Sequence, residues 1–145
     1  YMNEAAYLVA EGVPIDHVDR TLVDFGMPMG PLELVDEVGT DVGEKVLHIL
    51  HRAFGERMVP CTLIERVVAA KRMGKKSGRG LYVYEGERKT KRLDPEIYKI
   101  IGVTPKAISL SKEDIVDRCI LPMINEASRC LEEGIVRTPE DVDLG

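Results

Sequence analysis

Apolar side chains recur along this chain mainly at helical spacing. Met2, Ala5, Ala6 and Val9 line one side of a helix predicted over residues 2–11, with Gly12 just past its end and Pro14 beyond. Ile15, Val18, Leu22 and Phe25 mark one side of a second helix over residues 15–25. The run from Gly26 to Pro31 breaks the pattern. Pro31 suits the first turn of a helix, where its missing N–H costs nothing, and Glu33 places a negative charge at the same positive end. This third helix is expected to be short and to stop near Gly39.

Thr40 or Asp41 is read as the cap of a fourth helix, with Val46, Leu47, Leu50, Ala53 and Phe54 as its apolar stripe. Thr62-Leu63-Ile64-Glu65 fits a capping box that opens a helix running to about Met73. Gly74 to Gly80 form a basic, glycine-rich loop, and Leu81-Tyr82-Val83-Tyr84 is the one strand-like run. Residues 85–110 read as a linker holding one helix near Pro95 to Ile101. Ser111 opens the longest helix, with Val116, Ile120, Met123, Ala127, Cys130 and Leu131 on its apolar side, a kink expected at Pro122 and an end at Gly134. Thr138-Pro139-Glu140-Asp141 begins one more.

The chain also repeats itself. Aligning Asn3–Val13 with Asn125–Ile135 gives five identities in eleven positions, and Val18-Asp19 matches Val142-Asp143 after a two-residue insertion. The match continues past the glycine, which favours duplication over two ordinary helices with similar ends. The second copy holds its first helix and the start of its next.

Composition narrows the class. A hydrophobic fraction of 44% with 31% charged residues describes a globular chain. No apolar run approaches the roughly 18 residues of a membrane span, and the first residues lack the regions of a signal peptide. There is no initiator Met, so the sequence reads as starting inside a longer protein. Cys119 and Cys130 on one helix would stand roughly 16 Å apart, too far to bridge, which points to a reducing cytoplasm. Residues 71–92 carry +7 against a total of -5, so the rest of the chain is acidic and a dedicated nucleic-acid binder is disfavoured.

Several residues invite chemistry. Met29, Gly30 and Pro31 form a turn where a missing Cβ allows close approach of a ligand or of another backbone. Lys75, Lys76 and Arg79, in a flexible glycine loop, suit phosphate or a solvated surface. His48 and His51 lie one helical turn apart without a third metal ligand nearby. Glu33, Asp36 and Glu37 crowd one short helix, where carboxylates more often complement the helix dipole than transfer protons. Tyr82 and Tyr84 share one side of the extended run and are read as packing on the helices. No GxGxxG follows a strand.

Asn3-Glu4-Ala5, the run Phe25–Gly39 and the run Gly74–Tyr84 together resemble the C-terminal domain of 3-hydroxyacyl-CoA dehydrogenases, in order and at the right separation. Leu121–Ala127 is similar to the second-copy helix of the multifunctional α-subunits, which join hydratase and dehydrogenase activities. The resemblance implies an all-α fold like the C-terminal domain of 6-phosphogluconate dehydrogenase: a first domain over 1–85, a linker over 86–110, and a truncated second copy over 111–145. Such domains pack in pairs in this family, so the 111–134 helix is expected antiparallel on the 1–12 helix, with self-association through the repeats. The implied reaction is NAD-dependent oxidation of an L-3-hydroxyacyl-CoA in fatty-acid β-oxidation. The family's His–Glu pair and substrate-positioning Asn map outside this chain, so no catalytic residue, cofactor site or metal site is assigned to it. The acyl-CoA, a missing Rossmann domain and a thiolase subunit are the implied partners. The substrate-contact candidates are Met29, Gly30, Pro31, Lys75, Lys76 and Arg79. A stand-alone helical interaction module and the helical half of another hydroxyacid dehydrogenase remain the alternatives.

Overall fold

The computed structural model describes residues 1–86, 90–106 and 110–144. It is mostly helical: α1 (Met2–Ala10), α2 (Ile15–Phe25), α3 (Pro31–Val38), α4 (Thr40–Phe54), α5 (Leu63–Ala69), a hairpin of β1 (Tyr82–Glu85) and β2 (Thr90–Leu93), α6 (Glu96–Ile101), α7 (Lys112–Glu132) and α8 (Pro139–Leu144). The small sheet departs from the all-α expectation. Tyr82 pairs with Leu93 and Glu85 with Thr90, antiparallel. The β2 sequence Thr-Lys-Arg-Leu lies at a solvated edge, so burial leaves no apolar alternation on it to read.

Helix α1 is central. Ala5, Ala6, Leu8 and Val9 are fully buried, and α2, α3, α5 and α7 all pack around them. The two alanines let neighbouring helices approach closely. Asn3 fastens the start of α1 to the loop before α5: its Nδ2 donates to the Val59 carbonyl at 2.8 Å and its Oδ1 accepts from the Cys61 N–H at 2.9 Å. Helix α6, within the expected linker, buries Ile97 and Ile101 in the same core.

Burial corrects several stripes read from spacing. Phe25 is exposed although Ile15, Val18 and Leu22 are fully buried. In α4 only Thr40 is buried, while Val46 and Phe54 are exposed and Leu47 and Leu50 half-buried. Thr40 caps nothing, since its hydroxyl donates to the Arg72 carbonyl at 2.6 Å. Thr62 has helical backbone and makes no side-chain cap. Helix α5 ends at Ala69 rather than Met73 because Lys71 takes φ +58, which turns Arg72 inward.

Helix α7 begins with a complete capping box between Ser111 and Asp114 and runs through Pro122. It packs on α1 as expected, but through Ile115 and Cys119 of its N-terminal half, so the buried stripe lies on different residues from those read by spacing. Arg118 bridges to Glu11 at 2.5 Å and Glu4 at 3.3 Å. Met123 stays exposed. The ends of α1 and α7 share one hydrogen-bond pattern. Gly12 N–H donates to Val9 and Val13 N–H to Leu8, while Gly134 N–H donates to Leu131 and Ile135 N–H to Cys130. Both glycines have positive φ.

Candidate functional site

The Met29–Pro31 turn and the Gly74–Gly80 loop meet the two ends of α3, a helix of eight residues and therefore about 12 Å long. Gly30 occupies the N-cap of α3 and has no side chain to cap it. Asp19 of α2 takes over that role. Its Oδ1 accepts from Leu32 N–H at 2.8 Å and its Oδ2 from Glu33 N–H at 3.0 Å. A Cβ on Gly30 would collide with the Asp19 carboxylate, so the missing side chain makes room for this cap. Pro31 is buried and Met29 half-buried beside it.

Asp36, on the buried side of α3, does the same for the second loop. It accepts from Leu81 N–H and Tyr82 N–H, each at 2.8 Å, and from the Tyr84 hydroxyl at 3.1 Å. Gly80 has no room for a Cβ beyond this carboxylate. The Tyr82 hydroxyl crosses to Asp19 Oδ2 at 2.7 Å, so the two ties are joined through one residue. Arg72 holds the loop from the other side, donating to the Gly80 carbonyl at 2.6 Å and to Asp94 at 3.1 Å.

Burial sets the titration of this cluster. It raises the Asp36 carboxyl to about 6 against the pull of three donors, and it raises Asp19 against the Tyr82 hydroxyl bond. Burial, and then the neighbouring carboxylates, hold the Tyr82 and Tyr84 hydroxyls protonated. Every one of these groups is spent on a bond within the protein. The arrangement fixes two loops on one helix and presents no free acid or base.

Among the described residues, several cations of the basic segment are paired with carboxylates. Lys75 pairs with Glu37 and Lys76 with Asp41, each at 2.6 Å, and Lys91 pairs with Glu33 while lying over the Tyr82 ring. Glu33 thus has a cationic partner besides the positive end of the helix dipole, while Glu37, in the last turn of α3, has only its lysine. Arg79 is exposed at the loop. The tyrosines do more than pack, since both hydroxyls bind carboxylates. His48 meets Glu65 at 3.3 Å and His51 the Gly55 carbonyl at 3.0 Å; among the described residues no cluster of three ligands for a metal occurs. The structural roles of Asp19, Asp36 and Arg72 were not read from the sequence. A signal existed for the aspartates: Asp19 lies four residues after Ile15 and three before Leu22, and Asp36 four after Leu32, so both fall on apolar stripes.

Residues 1–84 match the family model described as 3-hydroxyacyl-CoA dehydrogenase, C-terminal domain. The chain belongs to that family. All 145 residues align with the fatty acid oxidation complex subunit alpha of Shewanella halifaxensis at 43% identity and of Vibrio parahaemolyticus at 47% identity, covering 20% of each relative. The chain therefore spans about one fifth of the curated relatives it matches. Among solved structures, the dehydrogenase part of multifunctional enzyme 1 from C. elegans superposes with TM-score 0.68 and 30% identity, over 88% of this chain and 28% of that one. The (S)-3-hydroxybutyryl-CoA dehydrogenase PaaH1 from Ralstonia eutropha gives TM-score 0.54 and 35% identity, over 59% of this chain and 31% of that one. Among the described residues no helix of this 3-hydroxyacyl-CoA dehydrogenase family member is long and apolar enough to cross a membrane.

Proposed function

We propose that this chain is the helical, non-catalytic part of an NAD-dependent L-3-hydroxyacyl-CoA dehydrogenase of fatty-acid β-oxidation, within a longer multifunctional protein of the cytoplasm. One observation carries the reading. The two segments that resemble the family's motifs are cross-tied on α3 by Asp19, Tyr82 and Asp36, which makes them a frame and commits their carboxylates to hydrogen bonds within the protein. The frame's part is to hold the surface that closes over an acyl-CoA.

The residues present do not fit a dinucleotide. The glycine-rich loop Gly74–Gly80 leads into a hairpin strand rather than a helix, and its amides at Gly74, Ser77, Gly78 and Gly80 are already bonded to nearby carbonyls. The nicotinamide cofactor is assigned to another part of the protein. In this reading Met29, Gly30 and Pro31 back the substrate cleft, and Lys75, Lys76 and Arg79 face the phosphates of coenzyme A, with exposed Arg79 the leading contact.

Residues 1–85 form the first helical copy in the proposed organisation, 86–110 the connection, and 111–145 the opening of a second copy, supported by the matching ends of α1 and α7. The apolar side chains exposed on α4 and on the C-terminal half of α7 favour association through the repeats, and a thiolase subunit is the further partner of the reading. The test is the full-length gene product supplied with NAD and L-3-hydroxybutyryl-CoA. NADH formation is expected with the L and not the D substrate; no formation with either rejects the dehydrogenase reading.

A further inference from the structure

A hollow of about 240 Å³ lies between α3, α4 and the start of α1, apart from the ties around Asp19 and Asp36. Its walls are Val35, Val38, Val46, Leu47, Leu50 and Met58, with Gly43 set among them. Asn3 is the polar side chain at its edge, and both ends of that amide are committed to Val59 and Cys61. Tyr1 also borders the hollow, and its buried hydroxyl has no hydrogen-bond partner among the described residues. A strongly polar ligand would lose most of its hydration against these walls. Apolar cavities of about 150 Å³ stay dry and bind molecules such as benzene, so this one has room for a longer hydrocarbon.

Gly43 decides between a packing gap and a binding space. It lies inside α4 with no positive φ, so the backbone does not require glycine. A Cβ there would meet only Val35 Cγ1, at an ordinary contact distance of 3.7 Å, so the packing does not require it either. Glycine inside a helix costs roughly 0.5–1 kcal/mol relative to alanine. What its missing side chain provides is room along the wall of the hollow.

We infer that this hollow receives the alkyl tail of the acyl substrate, and that Gly43 sets how long a tail it takes. The assignment rests on the dehydrogenase reading above. It is tested in the full-length enzyme with Gly43→Ala and Gly43→Leu, both better helix formers than glycine. The readout is kcat/KM for 3-hydroxydecanoyl-CoA divided by that for 3-hydroxybutyryl-CoA. The ratio is expected to fall on the order of tenfold or more for leucine and by less for alanine, as for added methylenes in an apolar pocket. Should the leucine variant not fold, the alanine variant must still lower the ratio. A ratio unchanged in the folded variants, or equal losses on both substrates, overturns the assignment and leaves the hollow as a seat for another polypeptide segment. An unsubstituted enzyme that turns over neither substrate overturns the dehydrogenase reading itself.

Discussion

Tyr82 donates its hydroxyl to Asp19 at 2.7 Å across 63 residues of sequence, while its backbone N–H donates to Asp36 at 2.8 Å. One residue therefore joins the helix before the Met29–Pro31 turn to the helix after it. Tyr82→Phe removes a buried hydrogen bond to the Asp19 carboxyl group and is expected to lower the unfolding free energy by about 1–3 kcal/mol. Asp19→Ala strands three donors and is expected to cost more. Urea unfolding measures both, and a phenylalanine variant as stable as the parent contradicts the tie.

Gly80→Ala and Gly43→Ala should act in opposite directions. A Cβ at Gly80 has to displace the Asp36 carboxylate from its donors, whereas at Gly43 it meets only ordinary contact. The first change is expected to destabilise by about 2 kcal/mol or more and the second to stabilise by about 0.5–1 kcal/mol. Thermal unfolding of the two chains side by side gives the signs.

Burial lifts the Asp36 carboxyl from 3.8 to about 6. Its value in the folded chain lies above the unfolded one, so the folded chain holds this proton more tightly. The contribution of Asp36 to stability therefore grows as pH falls from about 6 to about 4. Asp24, Asp41 and Asp114 run the other way: their partners hold them low, and the stability they confer is lost on acidification. Comparing the parent with Asp36→Asn isolates the one group. The parent's stability relative to the variant should rise by about 1–3 kcal/mol between about pH 7 and pH 4. A flat or falling difference would mean that the bonds to Leu81, Tyr82 and Tyr84 outweigh burial.

The docking of α7 separates packing from charge. Ile115 is fully buried, while Arg118 reaches Glu4 and Glu11 at a partly exposed edge. Ile115→Ala is expected to cost about 2–4 kcal/mol and Arg118→Ala about 1 kcal/mol or less. Equal losses in denaturant unfolding would overturn that ranking.

For coenzyme A, Arg79→Glu in the full-length enzyme should raise KM for the acyl-CoA about fivefold, the effect of roughly 1 kcal/mol. An unchanged KM returns the loop to a purely structural role.

The helices were legible because their ends are written locally. Gly12, Pro31 and the Ser111–Asp114 box fall where the chain turns, and each acts within one or two turns of its own position. The helix stripes were less legible, because spacing gives a side of a helix but not which neighbour covers it. Val46 and Phe54 have the right period and face outward, while Ile115 and Cys119 carry the contact of α7. Strand β2 left no pattern because its edge is solvated. The frame around α3 depends on bonds between residues far apart in sequence, and no local pattern encodes those. The misplaced charges of Asp19 and Asp36 on apolar stripes were the trace it left.

The most direct test of a frame that shapes the reaction without performing it is NADH oxidation with acetoacetyl-CoA, measured on the purified 145-residue chain beside its full-length gene product. Turnover is expected from the full-length protein alone. Turnover by the isolated chain would contradict the account.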